Sequence, residues 1–134
     1  MKYRIDVIKG LLGYMYDSEQ AYVMNTELHA IVSNCYENNN GDYTVAYFNI
    51  ITELQLVDFQ YSSNFGFNEQ SCGGSITYAI AELKVCLTYK GQEFIEKLND
   101  KTIWNKICKN GSSLGLGTLK VIGSSLLQQY LSKL

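Results

Sequence analysis

The stretch from Asp42 to Val57, DYTVAYFNIITELQLV, constrains this chain more than any other. Tyr47, Ile50, Ile51 and Leu54 recur at spacings of three and four, with Phe48 beside them, and so mark the apolar side of a helix. Asp42, Val45, Asn49, Thr52 and Glu53 fall on the other side. Leu56-Val57-Asp58-Phe59-Gln60-Tyr61 then alternates as a strand does.

The flanks supply the rest of the layout. Tyr3 to Tyr16 reads as a helix with Ile5, Ile8, Leu12 and Met15 inward, and Gly10 and Gly13 suit a close approach by another element. Ala21 to Met24 suits a short strand, and Asn25 suits the N-cap of a second helix carrying Leu28, Ile31, Val32 and Cys35. Asn38-Asn39-Asn40-Gly41 ends that helix, with Asn or Gly at a left-handed cap, and Asp42 caps the third. Two short helices joined so tightly, at about residues 25–57, read as a helix-turn-helix. Beyond them, residues 57–88 read as an antiparallel wing of two strands around a long Ser/Asn/Gly-rich loop, 62–75.

The remainder, 89–134, reads as C-terminal helices. LTYKGQEFIEKL passes from strand to capped helix with Phe94, Ile95 and Leu98 inward. Asn99-Asp100 breaks it and caps TIWNKICK, which gathers Ile103, Trp104, Ile107 and Cys108. Residues 110–117 form a Gly/Ser loop, and Thr118 to Leu134 reads as one last amphipathic helix. Its broad stripe of Leu119, Ile122, Leu126, Leu127, Tyr130, Leu131 and Leu134 suits a homodimer, or packing within the chain. The fold expected is one α+β, mainly α domain: a winged helix-turn-helix with additional C-terminal helices.

Charge runs against that layout. Net charge is −2, yet residues 1–9 carry +2, residues 10–83 carry −9 with no Lys or Arg, and residues 84–134 carry +5. A typical DNA site neutralises about 6–10 phosphates. The third helix, where such folds keep their DNA-reading residues, presents Asp42 and Glu53 instead.

YFNIITELQLV is similar to the third helix of winged-helix regulators, and LTYKGQEF resembles the strand-to-helix junction after their wing. With NDKTIWNKI and the opening MKYRIDVIKGLL, the chain resembles a bacterial and prophage family of winged-helix proteins of unknown function. The resemblance covers most of the chain, most weakly at 58–82. Gln55 stands where such helices usually carry Gly, which implies a differently shaped turn.

Chemistry-bearing clusters are absent from the sequence. The one histidine, His29, sits on a helix with an apolar core face and has no second His to complete a nucleophilic triad. Cys35, Cys72, Cys86 and Cys108 form no C-x-x-C pair and read as reduced, mostly buried thiols. Residues 111–117 lack the Lys of a P-loop. The sequence therefore predicts no enzyme, no cofactor and no metal. With no signal peptide pattern and no apolar run of membrane-spanning length, it predicts a cytoplasmic chain. The tyrosines, concentrated in the acidic span, read as core and interface residues rather than a base-stacking platform.

Two functions follow. The first is a protein-binding module whose acidic face engages a basic, nucleic-acid-binding host protein. If the chain is phage- or mobile-element-encoded, as the resemblance implies, this would be an anti-CRISPR-like or anti-defence inhibitor. The expected contact residues are Asp42, Val45, Asn49, Glu53, Asp58 and Glu69, in one continuous patch. The alternative is a DNA-binding transcriptional regulator.

Overall fold

The computed structural model describes residues 1–60, 65–109 and 111–133. The chain is α+β and mainly helical. Its elements in order are β1 (Tyr3–Arg4), α1 (Ile5–Asp17), β2 (Val23–Met24), α2 (Asn25–Ser33), α3 (Asn40–Glu53) and β3 (Val57–Phe59). Then follow β4 (Phe67–Cys72), β5 (Ser75–Ile80), β6 (Lys84–Leu87), α4 (Tyr89–Asn99), α5 (Lys101–Lys109), β7 (Ser113–Leu114), α6 (Leu116–Ile122) and α7 (Leu127–Ser132).

The first helix is the hub. Ile5, Ile8, Leu11 and Leu12 are wholly buried, and α1 packs on α2, α4 and β6. Gly10 and Gly13 do not serve the expected close approach. A Cβ there would meet only Ile31 Cγ2 at 3.6 Å and Ile95 Cδ1 at 3.9 Å, which is ordinary contact. Under the hub lies a three-stranded antiparallel sheet in the order β2-β6-β3, with Val23 opposite Val85 and Phe59 opposite Val85 on its far side. Val23, Val57, Phe59 and Val85 face inward, while Asp58 is exposed.

The connection from α3 into β3 turns on Gln55, which adopts φ +61°. Its N–H bonds the Thr52 carbonyl and that of Leu56 bonds the Ile51 carbonyl, closing the helix in the left-handed manner that usually selects Gly. The turn is thus of the ordinary shape, with a side chain where Gly would be free of strain. Thr88 clamps it from the other side: its hydroxyl donates to the Gln55 carbonyl and accepts from the Gly91 N–H, capping α4. A Cβ on Gly91 would fall 2.0 Å from the Leu56 carbonyl oxygen, so that glycine is what lets α4 dock against the turn.

Across the expected 62–75 loop and into the strand expected after it, the chain builds a hairpin of its own. β4 pairs with β5 from Phe67↔Ile80 to Cys72↔Ser75, closed by Gly73 and Gly74 at φ +58° and +85°. Two consecutive positive φ angles match the twist of a two-residue hairpin turn. The expected two-stranded wing is therefore corrected: its outer strands are β3 and β6, and a second hairpin projects between them. Residues 62–64 of that loop, and residue 61 of the strand expected before it, lie outside the described residues.

Asn25 is not an N-cap. Met24 holds that position, its N–H bonded to Glu27 Oε2 at 2.7 Å, and Asn25 is the first helical residue with a fully buried side chain. Nor does Asp42 cap α3, which starts from Asn39 in the left-handed region at φ +59°. Asp42 lies in its first turn, where a carboxylate still meets the positive end of the helix dipole. Asp100 caps α5 as expected, accepting from the N–H groups of Thr102 and Ile103.

The C-terminal segment is not one helix. Gly123, Ser124, Ser125 and Leu126 separate α6 from α7, and Lys97 Nζ donates to the freed carbonyls of Ile122 and Ser124. Leu119, Ile122, Leu127 and Leu131 are buried within the chain, α7 lying on α5 and α6. Of the stripe that suggested a homodimer, these four residues serve internal packing, while Leu126 is half exposed and Tyr130 partly buried. Leu134 lies outside the described residues. The Gly/Ser loop contributes β7, which pairs with β1 and ties the segment before α6 to the start of α1. Cys35, Cys86 and Cys108 are free and only partly buried, less enclosed than the sequence suggested.

Candidate protein-interaction surface

The outward side of α3 is built by what the inward side buries. Tyr47, Phe48, Ile50 and Ile51 go into the core, and this turns Asp42, Asn49, Thr52 and Glu53 to solvent, with Val45 half buried among them. From Asp42 to Glu53 the stripe runs about 16 Å at 1.5 Å per residue. No basic side chain lies on this helix.

Its two ends differ. At the N-terminal end the Tyr78 hydroxyl, from β5, donates to Asp42 Oδ1, and the Tyr78 ring covers Gly41. Glu69 stands opposite Tyr78 in the hairpin register. The bond to Asp42 pushes the Tyr78 hydroxyl up to about 12, with the Glu69 charge adding to the same shift. Asp42 and Glu69 are therefore brought together through Tyr78, a residue the sequence reading passed over. At the C-terminal end Glu53 borders a groove it shares with Lys90 and Lys120. Asp58 stands apart, on the outward face of β3 opposite Cys86, whose thiol is pushed up by burial and by the Asp58 charge. The six expected contact residues thus fall into an acidic end (Asp42, Glu69), a neutral centre (Val45, Asn49), a mixed end (Glu53) and a residue on the sheet (Asp58).

The scaffold behind the stripe is fixed at three points. His29 Nδ1 lies 2.7 Å from the buried Thr44 hydroxyl and Nε2 lies 3.3 Å from Ser33 Oγ, which locks α2 to α3. Burial pulls the His29 pKa down. Phe48 meets Phe65 and Phe67 in T-shaped contacts with ring centroids 5.5 and 5.3 Å away, seating the base of the hairpin on α3. Asn25 completes the seat: Nδ2 donates to the carbonyls of Phe65 and Ala81, both at 2.9 Å, and Oδ1 accepts from the Leu83 N–H at 3.1 Å. No local signal distinguishes this Asn from a helix cap, because its partners lie 40 to 58 residues away.

The basic residues near this region are largely engaged. Arg4 forms the one ion pair among the described residues, 2.7 Å to Asp6, and also donates to the Cys35 carbonyl. Lys9 lies over the Trp104 ring at 4.2 Å. Lys90 donates to Gln55 Oε1 at 2.7 Å. Among the described residues no group of three or more His, Cys, Asp or Glu is placed to hold a metal ion, and no helix is long and apolar enough to cross a membrane.

What these features define is a helical α+β domain presenting one helix with an acid-bearing, cation-free outward face. No family model matches the chain, and neither the curated proteins nor the solved structures contain a match to it.

Proposed function

We propose that this chain is a non-enzymatic protein-binding module with a winged-helix core. In this reading its acidic face engages a basic surface on a nucleic-acid-binding protein, as a phage- or mobile-element-encoded inhibitor of host defence would. The winged-helix reading draws support from the element order: a helix, a strand, two helices and a strand pair, with β2-β6-β3 antiparallel. The observation that carries the function is the outward stripe of α3, exposed and free of cations, inside a span of −9. The same stripe facing DNA would set Asp42 and Glu53 against phosphates. The lone histidine is spent between Thr44 and Ser33, which favours a binding role over catalysis.

Attraction to a basic surface raises the association rate and fades with salt, the Debye length falling from about 10 Å at 0.1 M to about 3 Å at 1 M. Exposed ion pairs contribute only about 0–1 kcal/mol each, so affinity would come from neutral contacts around Val45 and Asn49. The test is paired capture from a bacterial lysate with the wild type and with the Asn49→Lys/Glu53→Lys variant. A nucleic-acid-binding protein held by the wild type, released by salt and lost with the variant supports the reading. A captured set identical for both proteins overturns it.

A further inference from the structure

The outward stripe of α1 is the floor of an open groove of about 560 Å³. Asp6, Gly10, Gly13 and Asp17 follow one another along this stripe, over about 16 Å at 1.5 Å per residue. One wall carries Ile31 of α2 and the other Trp104 of α5, both only half buried, and Tyr14 is 41% exposed at the rim. Apolar side chains are thus open to solvent along the groove. We propose that it receives a basic amphipathic helix of a partner protein. None of its lining residues belongs to α3, so this surface is separate from the acidic stripe of that helix.

The floor, the walls and the charge point the same way. Gly10 and Gly13 weaken the hub helix relative to Ala, yet nothing inside the chain requires them, since a Cβ would make only ordinary contact with Ile31 and Ile95. What they do is keep the floor at the level of the backbone, which lets a second helix lie close. Half-open Ile31, Trp104 and Tyr14 along three turns of α1 suit the apolar face of a helix docked in a groove. The charge selects that helix's polar flank. Asp17 sits in the last turn of α1, which carries no basic side chain, at the negative end of the helix dipole. Tyr14 donates to Glu27 Oε1 at 2.7 Å, holding a second carboxylate near it. Lys9, the lysine that lines the groove, lies on the Trp104 ring more than two turns of helix from Asp17. This end therefore favours a Lys or Arg brought by the partner. A second copy of the chain fits worse: centred on the glycines, a parallel pair of α1 helices sets Asp17 against Asp17, and an antiparallel pair sets it against Asp6.

The test is a display library of helix-forming peptides of about 16 residues, long enough to span the groove, selected on the immobilised full chain. The enriched peptides are expected to carry Lys or Arg beside an apolar face. A synthetic copy should saturably shift the Gly10 and Gly13 amides and the Trp104 indole N–H of the ¹⁵N-labelled chain. Gly10→Leu fills the floor from an exposed position with a residue that favours helix, and should weaken the peptide about tenfold or more. A thermal melt no lower than the wild type's confirms that this variant is folded. Asp17→Lys should weaken the peptide as well, while Asn49→Lys/Glu53→Lys, on α3, should bind it as the wild type does. The proposal is overturned if no peptide is enriched, if the enriched peptides are acidic, or if Gly10→Leu binds them as the wild type does. Loss of binding with Asn49→Lys/Glu53→Lys alone would put the peptide on α3, which overturns the groove and leaves the reading of the α3 face standing.

Discussion

The Tyr36 and Tyr47 hydroxyl oxygens lie 2.6 Å apart, and the Tyr47 oxygen also accepts from the Arg4 backbone N–H at 2.9 Å. Through this pair the segment joining α2 to α3 is fastened to β1. The Tyr36 ring stacks on Tyr43 with centroids 3.8 Å apart, and the Arg4 guanidinium lies 5.5 Å from its centroid on the same anchor. Tyr36, Tyr43 and Tyr47 are here structural and hold α3 with its acidic stripe outward, whereas Tyr14, Tyr16 and Tyr22 of the same acidic span are exposed.

Tyr47→Phe should lower stability by about 1–3 kcal/mol, because it strands the Arg4 N–H and removes a bond to Tyr36. Burial raises the Tyr47 pKa above its ordinary value of 10.0. The folded state therefore holds this proton longer than the unfolded chain, and the stability it contributes is present below about pH 10 and falls as pH rises through the folded pKa. Urea denaturation across that range should show a steeper alkaline decline for the wild type than for Tyr47→Phe.

His29 gives the opposite end of the pH range. Its pKa is depressed below 6.5 by burial, so the neutral ring is the folded form. Its contribution is present above that value and is lost as pH falls through the folded pKa. Denaturation midpoints measured from neutral to mildly acidic pH should fall for the wild type and stay flatter for His29→Gln.

Asn25→Ala should release two carbonyls and one N–H from a fully buried amide, at a cost of about 1–3 kcal/mol. The effect should be local first. Hydrogen exchange at Ala81 and Leu83 is expected to quicken by more than it does in α1; equal quickening in both would show that the hairpin is not separately seated.

Gln55→Gly should raise stability by about 1 kcal/mol through relief of its left-handed backbone, while Gln55→Val should lower it. Thermal melts of the two variants against the wild type check this directly. A loss on Gln55→Gly would mean that the Lys90 contact outweighs the strain.

Periodicity exposed the helices whose one face is buried: α1, α3 and α4 lie close to where spacing put them, and so does the cap at Asp100. The hairpin β4–β5 escaped because Asn68, Glu69, Gln70 and Ser71 give no alternation of apolar and polar residues, although Gly73-Gly74 marked its turn. The break between α6 and α7 escaped because the apolar stripe continues across Gly123 with helical spacing. Of the interaction surface, the α3 stripe was legible from the face opposite Tyr47 and Ile51. The seat formed by Asn25, and the Asp42–Tyr78 contact, were not, since both are made by residues far apart in sequence. That contact also alters how the stripe is best probed: reversing Asp42 would disturb the hairpin, whereas Asn49 is exposed.

The central claim, that the outward face of α3 serves a protein and not DNA, is tested most directly by the wild-type chain and duplex DNA alone. Gel retardation with a random duplex pool at about physiological salt, followed by selection of any retarded molecules, is the measurement. The account predicts no retardation and no enriched sequence, because the face offers carboxylates to a polyanion. Salt-sensitive, sequence-specific retardation by the chain alone would contradict it and make this protein a DNA-binding regulator.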